Sequence, residues 1–575
     1  MSTSIQPHER GPLNAISGRE SILTLVLLTL ATLGIGLLFA LDPRWGYDEA
    51  WHLYLSTLSP WTKALEEGLV DAHPPLHHLL LMPMARFGPD PFWFRLPSVL
   101  AAVATVPLWY LLLRRLRVVP EMALLGVVLL MTSFAFLELA VSVRSYSFGL
   151  LFLVIGLFAA TTLVPRTASG AIGPGAAPKP QLLMAALALT IAFGFIYSAL
   201  FVILGLFLAL ALLWAVRAGR RFVRPLEWLR TWRFVDWFAF VVLVIGAFSV
   251  LLWFALGYGR GRGAVAPMHL ESFTLSEGDS ILQFAWCGLV GNAGWLTPQF
   301  PATDPGQILA VALFWTAAAA VLAVGLWRRQ SARVLMVLAA VIATALVFAA
   351  GGVGAYPFGG LMRHQAMLLP LYLVIIVLAL DLVWSRLHSR RVQQVFSLAV
   401  VGFALFGLFR AHATDPVGEA HTAGMRPEIS AAFACDSGEQ AVYVEGRAFY
   451  PVYAAAYPKG IAFRSTLTEQ DGVPVEVPYG TGWFNGLIHP RDWDVFTMKD
   501  DCGSDRTLIR DRRRWTLPEG PDVRLESQLE SLKAALGVGS LQLIRLPPEE
   551  DDGESERGTA SADEPPHTSR CPIRR

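Results

Sequence analysis

Charge is what this chain has least of: 16% of its 575 residues are Asp, Glu, Lys or Arg, where soluble globular proteins carry about 25%. With 54% hydrophobic residues and a mean hydropathy of +0.49, that scarcity excludes an ordinary soluble protein and reads as a polytopic membrane protein. Neither sign is in excess, since the net charge is +1, so nothing in the charge favours nucleic acid. Cysteine is scarce too, and the spacing of Cys287, Cys435, Cys502 and Cys571 fits no zinc site. There is no tandem repeat. The first apolar run lacks a small-residue cleavage site, so it reads as a retained helix and not a signal peptide.

What the chain does have is long apolar runs. About eleven are long enough to cross roughly 30 Å of hydrocarbon: 21 to 41, 93 to 113, 121 to 140, 145 to 164, 181 to 197, 199 to 216, 234 to 257, 306 to 327, 332 to 351, 366 to 384 and 392 to 410. Under that count the basic loops Arg114 to Arg117, Arg217 to Arg233, Arg328 to Arg333 and Arg386 to Arg391 share the side of the N-terminus. The positive-inside rule makes that side the cytoplasm. Residues 42 to 92, 258 to 305 and 352 to 363 then face outward, as does everything after about 411. The pair within 181 to 216 is read as two helices turning near Tyr197-Ser198, because one helix would put the later basic loops outside.

Beyond the last run the composition becomes that of a soluble domain. Ala441 to Glu445 and Leu541 to Ile544 read as strands and Leu525 to Leu536 as a helix. The expected organisation is a transmembrane domain over 1–411, a small extracytoplasmic α/β domain over 412–546 and a disordered tail over 547–575. Cys435 and Cys502 both fall in the outward portion, where a disulfide is permitted; two unrelated thiols are the alternative.

The first outward loop carries the most informative residues. Tyr47-Asp48-Glu49 follows the first run, and two adjacent carboxylates beside a membrane are costly unless they have a task. Ala50 through Leu65 has helical spacing and aromatic rings suited to the membrane interface, and a second helix starts at Pro74-Pro75, just after His73. An N-cap role for Asp48 and a plain loop role for His73 are the bland alternatives. Arg95, Arg144 and Arg363 all fall on the outer side, where the positive-inside rule does not call for them, and Arg363-His364 follows Gly359-Gly360. Guanidinium groups converging there suit a phosphate.

The order Tyr47-Asp48-Glu49, His73-Pro74-Pro75-Leu76, Phe94-Arg95-Leu96-Pro97-Ser98 and Val143-Arg144-Ser145-Tyr146-Ser147 resembles the membrane glycosyltransferases of family 39. These include the protein O-mannosyltransferases and the aminoarabinose transferases that modify lipid A. The similarity covers about residues 20 to 200, and the later helices by layout only. The resemblance implies a GT-C fold: an all-α polytopic membrane body of about eleven transmembrane helices with interfacial helices in the first outer loop. It further implies transfer of a sugar from a polyprenyl-phosphate donor to an extracytoplasmic acceptor at a bacterial inner membrane. By the same resemblance the family's base maps onto Asp48, with Glu49 beside it. The sequence departs at the turn between the fifth and sixth helices, where many relatives have a His-Tyr pair and this chain has Tyr197-Ser198.

The chemistry agrees with these residue types. A sugar phosphodiester carries its own leaving group, so the protein must accept the proton of a hydroxyl and stabilise charge on the departing phosphate. Asp48 suits the first task, and Arg144, Arg363, His364 and Arg95 the second, with Tyr47, His73 and Tyr197 near the substrate. A single base without a second carboxylate nucleophile predicts inversion, by analogy with glycosidases. Glu49 and His73 offer two ligands to a divalent metal, fewer than a site needs, and leave metal open. Two rival classes remain at this stage: a carrier of a lipid-linked substrate, which would need broken helices and ionisable groups such as Glu138 at depth, and a non-catalytic envelope scaffold.

Overall fold

The computed structural model describes residues 19–42, 47–57, 74–88, 90–164, 179–218, parts of 237–252, 275, 280–296, 304–359 and 362–414, and strands at 441–444, 462–464, 493–499, 505–511 and 541–544. Every apolar run contains helix among its described positions. In order these are α1 (Arg19–Ala40), α2 (Tyr47–Thr57), α3 (Pro75–Leu81), α4 (Pro91–Arg115), α5 (Pro120–Met131), α6 (Phe134–Val141), α7 (Tyr146–Ala160), α8 (Lys179–Phe195) and α9 (Ala199–Ala218). They continue with α10 (Ile281–Leu296), α11 (Asp304–Trp327), α12 (Ser331–Gly352), α13 (Met362–Gln365), α14 (Leu369–Trp384) and α15 (Arg390–Thr414).

Among the described residues seven helices are long and apolar enough to span a bilayer, or eight if α5 and α6 form one span. The difference from eleven has identifiable causes. The run at 121 to 140 breaks at Thr132-Ser133, where the axis bends by 59°. The Thr132 hydroxyl turns back to the Val128 carbonyl at 2.8 Å, as mid-helix hydroxyls that bend helices do. Helix α7 has 15 residues, and at ~1.5 Å per residue it is shorter than a ~30 Å core. Its missing length lies mostly in the turn at 161–164. The segment 258 to 305, expected as an outward loop, contains the 16-residue α10.

The helices approach closely where glycine allows it. A Cβ on Gly156 of α7 would lie 2.4 Å from Leu189 of α8, and one on Gly205 of α9 would lie 2.7 Å from the Ala339 carbonyl of α12. Helix α4 starts at Asp90-Pro91, where the Asp90 carboxylate accepts from the Phe92 N–H at 2.9 Å and proline occupies the first turn.

One end of the body gathers the basic turns. Arg333, at the start of α12, donates from Nε to the Leu116 carbonyl at 2.9 Å, and from Nη2 to the Arg117 carbonyl at 3.0 Å and to Asp381 of α14 at 2.8 Å. The other carboxylate oxygen of Asp381 accepts from the Val119 N–H at 3.1 Å. Arg333 and Asp381 are 6% and 5% exposed, so this pair is buried and tied to the α4–α5 turn. The turns that follow α4, α11 and α14, all basic in sequence, therefore lie together, as one membrane side for all of them requires.

After α15 the described residues form five strands: β1 (Ala441–Val444), β2 (Ala462–Arg464), β3 (Trp493–Lys499), β4 (Asp505–Asp511) and β5 (Leu541–Ile544). Their order is β2-β3-β4-β1-β5, with β1 parallel to β4 and β5, and β3 antiparallel to β2 and β4. The expected strands at 441 and 541 are there; the expected helix at 525 to 536 and the tail from 547 lie outside the described residues.

Arg333→Met leaves a buried carboxylate without its cation. It should lower stability by about 3–5 kcal/mol, read as earlier thermal unfolding in detergent. Adding Asp381→Leu should recover part of the loss.

Candidate functional site

The opposite end is organised by a second buried arginine. Arg95 sits in the first turns of α4, and Glu49 in the first turn of α2. The two meet as a fork: Nε donates to Glu49 Oε1 at 3.0 Å and Nη2 to Oε2 at 2.6 Å. The remaining Nη1 donates to the Asp42 carbonyl at 2.6 Å, just beyond α1. Glu49 Oε1 also accepts from the Val143 N–H at 3.0 Å, in the turn between α6 and α7. Ser98 of α4 donates to the carbonyl of Arg144 in that same turn at 3.3 Å. Glu49 and Arg95 are 7% and 6% exposed. A low-dielectric setting strengthens each of these bonds and penalises any that is lost.

This network engages two residues of the expected site. Arg95 is held by Glu49 and the Asp42 carbonyl, and Glu49 places its oxygens on Arg95 and the Val143 N–H. Both residues position the start of α2.

The rest of the expected site is placed as follows. Tyr47 and Asp48 open α2, immediately before Glu49; their side chains, and all of His73, lie outside the described residues. Arg144 is half-buried in the α6–α7 turn. Arg363 and His364 lie on α13, which packs against α6; the Arg363 side chain is outside the described residues. His364 accepts through its carbonyl from the Tyr356 hydroxyl at 2.7 Å, and its ring stands 6.3 Å from the Tyr356 ring. Gln365 donates to the Pro357 carbonyl at 2.7 Å, which folds the 353–365 segment onto itself. Gly359, at φ +82°, lies so close to Gly288 of α10 that a Cβ would sit 2.8 Å from the Gly288 Cα. Tyr197, half-buried in the α8–α9 turn, meets Phe193 edge to face at 6.4 Å. The 3-10 turn at Ala366–Leu368 packs on α7 and α9, so the turns bearing Arg144, Tyr197 and His364 converge at this end.

In helix α2, Trp51 is 7% exposed and Leu53, Tyr54 and Leu55 are fully covered, so its aromatic face packs on the chain itself. Helix α3 starts at Pro75 with Pro74 before it, as proline in a first turn predicts, and packs on α2. Their contact holds three histidines without an assigned role in the sequence reading: His52 of α2 and His77 and His78 of α3. The signal was present, since His52 lies one helical turn after Asp48 and the pair His77-His78 follows Pro74-Pro75.

Among the described residues no group of three His, Cys, Asp or Glu side chains stands where it could hold a metal ion. Cys287 of α10 is disulfide-bonded, which the pairing of Cys435 with Cys502 did not anticipate; those two cysteines lie outside the described residues.

No family profile and no curated protein matches the chain. Solved structures do. ArnT from Cupriavidus metallidurans bound to undecaprenyl phosphate is 15% identical, over 75% of this chain and 84% of that one, with a TM-score of 0.45. A protein O-mannosyltransferase complex of S. cerevisiae bound to the sugar donor is 16% identical over 46% of this chain and 36% of that one, with a TM-score of 0.30. The Archaeoglobus fulgidus oligosaccharyltransferase in complex with Zn and sulfate is 12% identical over 76% of this chain and 61% of that one, with a TM-score of 0.43.

Arg95→Lys keeps the charge but removes the planar fork, and an ammonium cannot serve Glu49 and the Asp42 carbonyl together in this geometry. It should cost about 2–4 kcal/mol of stability, and Glu49→Gln a similar amount. Thermal unfolding of each purified variant against the parent checks this.

Proposed function

We propose that the protein is an integral-membrane glycosyltransferase that moves a sugar from a polyprenyl-phosphate donor to a cell-envelope acceptor on the outer face of a bacterial inner membrane. The observation that carries this reading is the Glu49–Arg95 network, which fixes the start of α2, and with it the backbone of Asp48, against α1, α4 and the α6–α7 turn. A base must be held in place to act in displacement, and a helix start anchored on three sides does that.

Asp48 is the base that accepts the acceptor hydroxyl's proton as the oxygen attacks the anomeric carbon. The phosphate leaves on the other side with the electron pair of the broken C–O bond, and Arg144, Arg363 and His364 stabilise its growing charge. One displacement inverts the anomeric centre. Glu49 and Arg95 act by position. The donor and acceptor leave this site as products on the outer side, which the gathering of basic turns at the far end supports.

A second reading draws on the break at Thr132-Ser133, with Glu138 half-buried in the short helix that follows. Broken helices and ionisable groups at depth suit a carrier of lipid-linked substrates. Transfer measured in membranes separates the two readings. With labelled polyprenyl-phosphate sugars and native envelope acceptors, the parent should form glycosylated product. Asp48→Asn should lose about 10²–10⁴-fold in kcat while unfolding at the parent's temperature. Arg144→Gln and Arg363→Gln should each cost about 10-fold or more in kcat/KM. Movement of labelled lipid without transfer would favour the carrier.

A further inference from the structure

We propose that the three basic turns at the end of the body opposite Glu49 and Arg95 form one binding site for an anionic phospholipid. The turns are 116–119 after α4, 328–330 after α11 and 385–389 after α14. One guanidinium joins them. Arg333, whose N–H donates to the Gln330 carbonyl of the second turn at 3.0 Å, reaches the Leu116 and Arg117 carbonyls of the first and the Asp381 carboxylate before the third. The Asp381 carbonyl accepts from the Ser385 N–H at 3.0 Å, and Gln393 of α15 donates to the Leu387 carbonyl at 2.8 Å, which closes the third turn.

This frame carries positive charge that the chain does not neutralise. Among the described residues Arg117, Arg328, Arg329, Arg386, Arg390 and Arg391 are exposed, and none of them stands in an ion pair. Against them the described helices of this end bring the carboxylates of Glu20, Glu121 and Asp381, and Arg333 occupies the last. The positive-inside rule accounts for the sign of this charge and not for its gathering around one buried pair.

The backbone gives a second, independent sign. Arg117 and Arg329 have φ of 62° and 54°, the two positive values at non-glycine positions among the described residues. Glycine adopts that conformation freely and a residue with a Cβ does so at a cost. Two of the three turns therefore hold a guanidinium where a relaxed turn would hold none.

Apolar surface beside the charge selects a lipid over a free phosphate. Leu326 and Trp327, next to Arg328 and Arg329, are 58% and 79% exposed, and Val383 and Val392, on either side of the third turn, are 47% and 49% exposed. Helices α11, α12, α14 and α15 are all long and apolar enough to span, so their shared end lies at headgroup depth. A phosphodiester headgroup accepts the paired guanidinium donors while its acyl chains cover the apolar rim.

Native mass spectrometry of the detergent-purified chain, titrated with phosphatidylglycerol, tests this. The parent should retain phosphatidylglycerol in preference to phosphatidylcholine. Affinity should fall about 5-fold for each arginine replaced, in Arg386→Gln alone and further in Arg117→Gln/Arg329→Gln/Arg386→Gln. The variant Arg220→Gln/Arg221→Gln/Arg224→Gln, which removes equal charge from the basic segment after α9, should bind as the parent does. Phosphatidylglycerol should also raise the unfolding temperature of the parent and of this control more than that of the first triple variant. Equal losses in the two triple variants would mean diffuse surface charge and overturn the site, as would equal retention of the two lipids. Displacement of the lipid by millimolar inorganic phosphate would make it a site for the free anion and overturn the lipid.

Discussion

A buried arginine fork on a buried carboxylate is the constraint on which the functional end of this molecule depends. Taking Glu49 and Arg95 out of water costs several kcal/mol per ion, and the arrangement holds only if nearly every polar atom finds a partner. The backbone supplies those partners: the Asp42 carbonyl takes the guanidinium's third edge and the Val143 N–H takes a lone pair of the carboxylate. Four chain segments are thus fixed by two side chains. Apolar packing alone would not do this, because a lipid-facing helix bundle has no hydrophobic preference for one rotation or depth over another.

The basic end repeats the solution. Arg333 and Asp381 are buried together and satisfied by the carbonyls of Leu116 and Arg117 and the N–H of Val119. One arginine–carboxylate pair ties each end of α4 to its neighbours, and α4 lies against α1, α5, α6 and α7. Between the two ends, Gly205 lets α9 reach the backbone of α12, and Gly156 leaves room for the Leu189 side chain of α8. The turns bearing Arg144, Tyr197 and His364 hang on this frame.

Much of this layout was legible in the sequence because hydropathy over about 20 residues reports helices directly. The Pro74-Pro75 start of α3 and the strands at 441 and 541 were legible for equally local reasons. What was not legible is non-local. The partner of Arg95 lies 46 residues away, and that of Arg333 lies 48 away, so each arginine reads in sequence as a phosphate ligand or a positive-inside marker. Hydropathy gives the length of a run and not its path, which is why the bend at Thr132-Ser133 escaped notice. Helix α10 was missed because its 16 residues are too few for a span and follow a glycine-rich stretch. The histidine spacing within α2 and α3 could have been read, but the contact between those helices is what brings the three rings together.

On the proposed function, the Glu49–Arg95 pair serves transfer by holding the helix that presents Asp48. A double-mutant cycle on kcat for sugar transfer tests it most directly, using Arg95→Met alone, Asp48→Asn alone and the two together. If the pair works through Asp48, replacing Arg95 costs rate in the parent and almost nothing once Asp48 is gone. Fully additive losses in two folded variants would mean that Arg95 and Asp48 act separately, and would contradict the account.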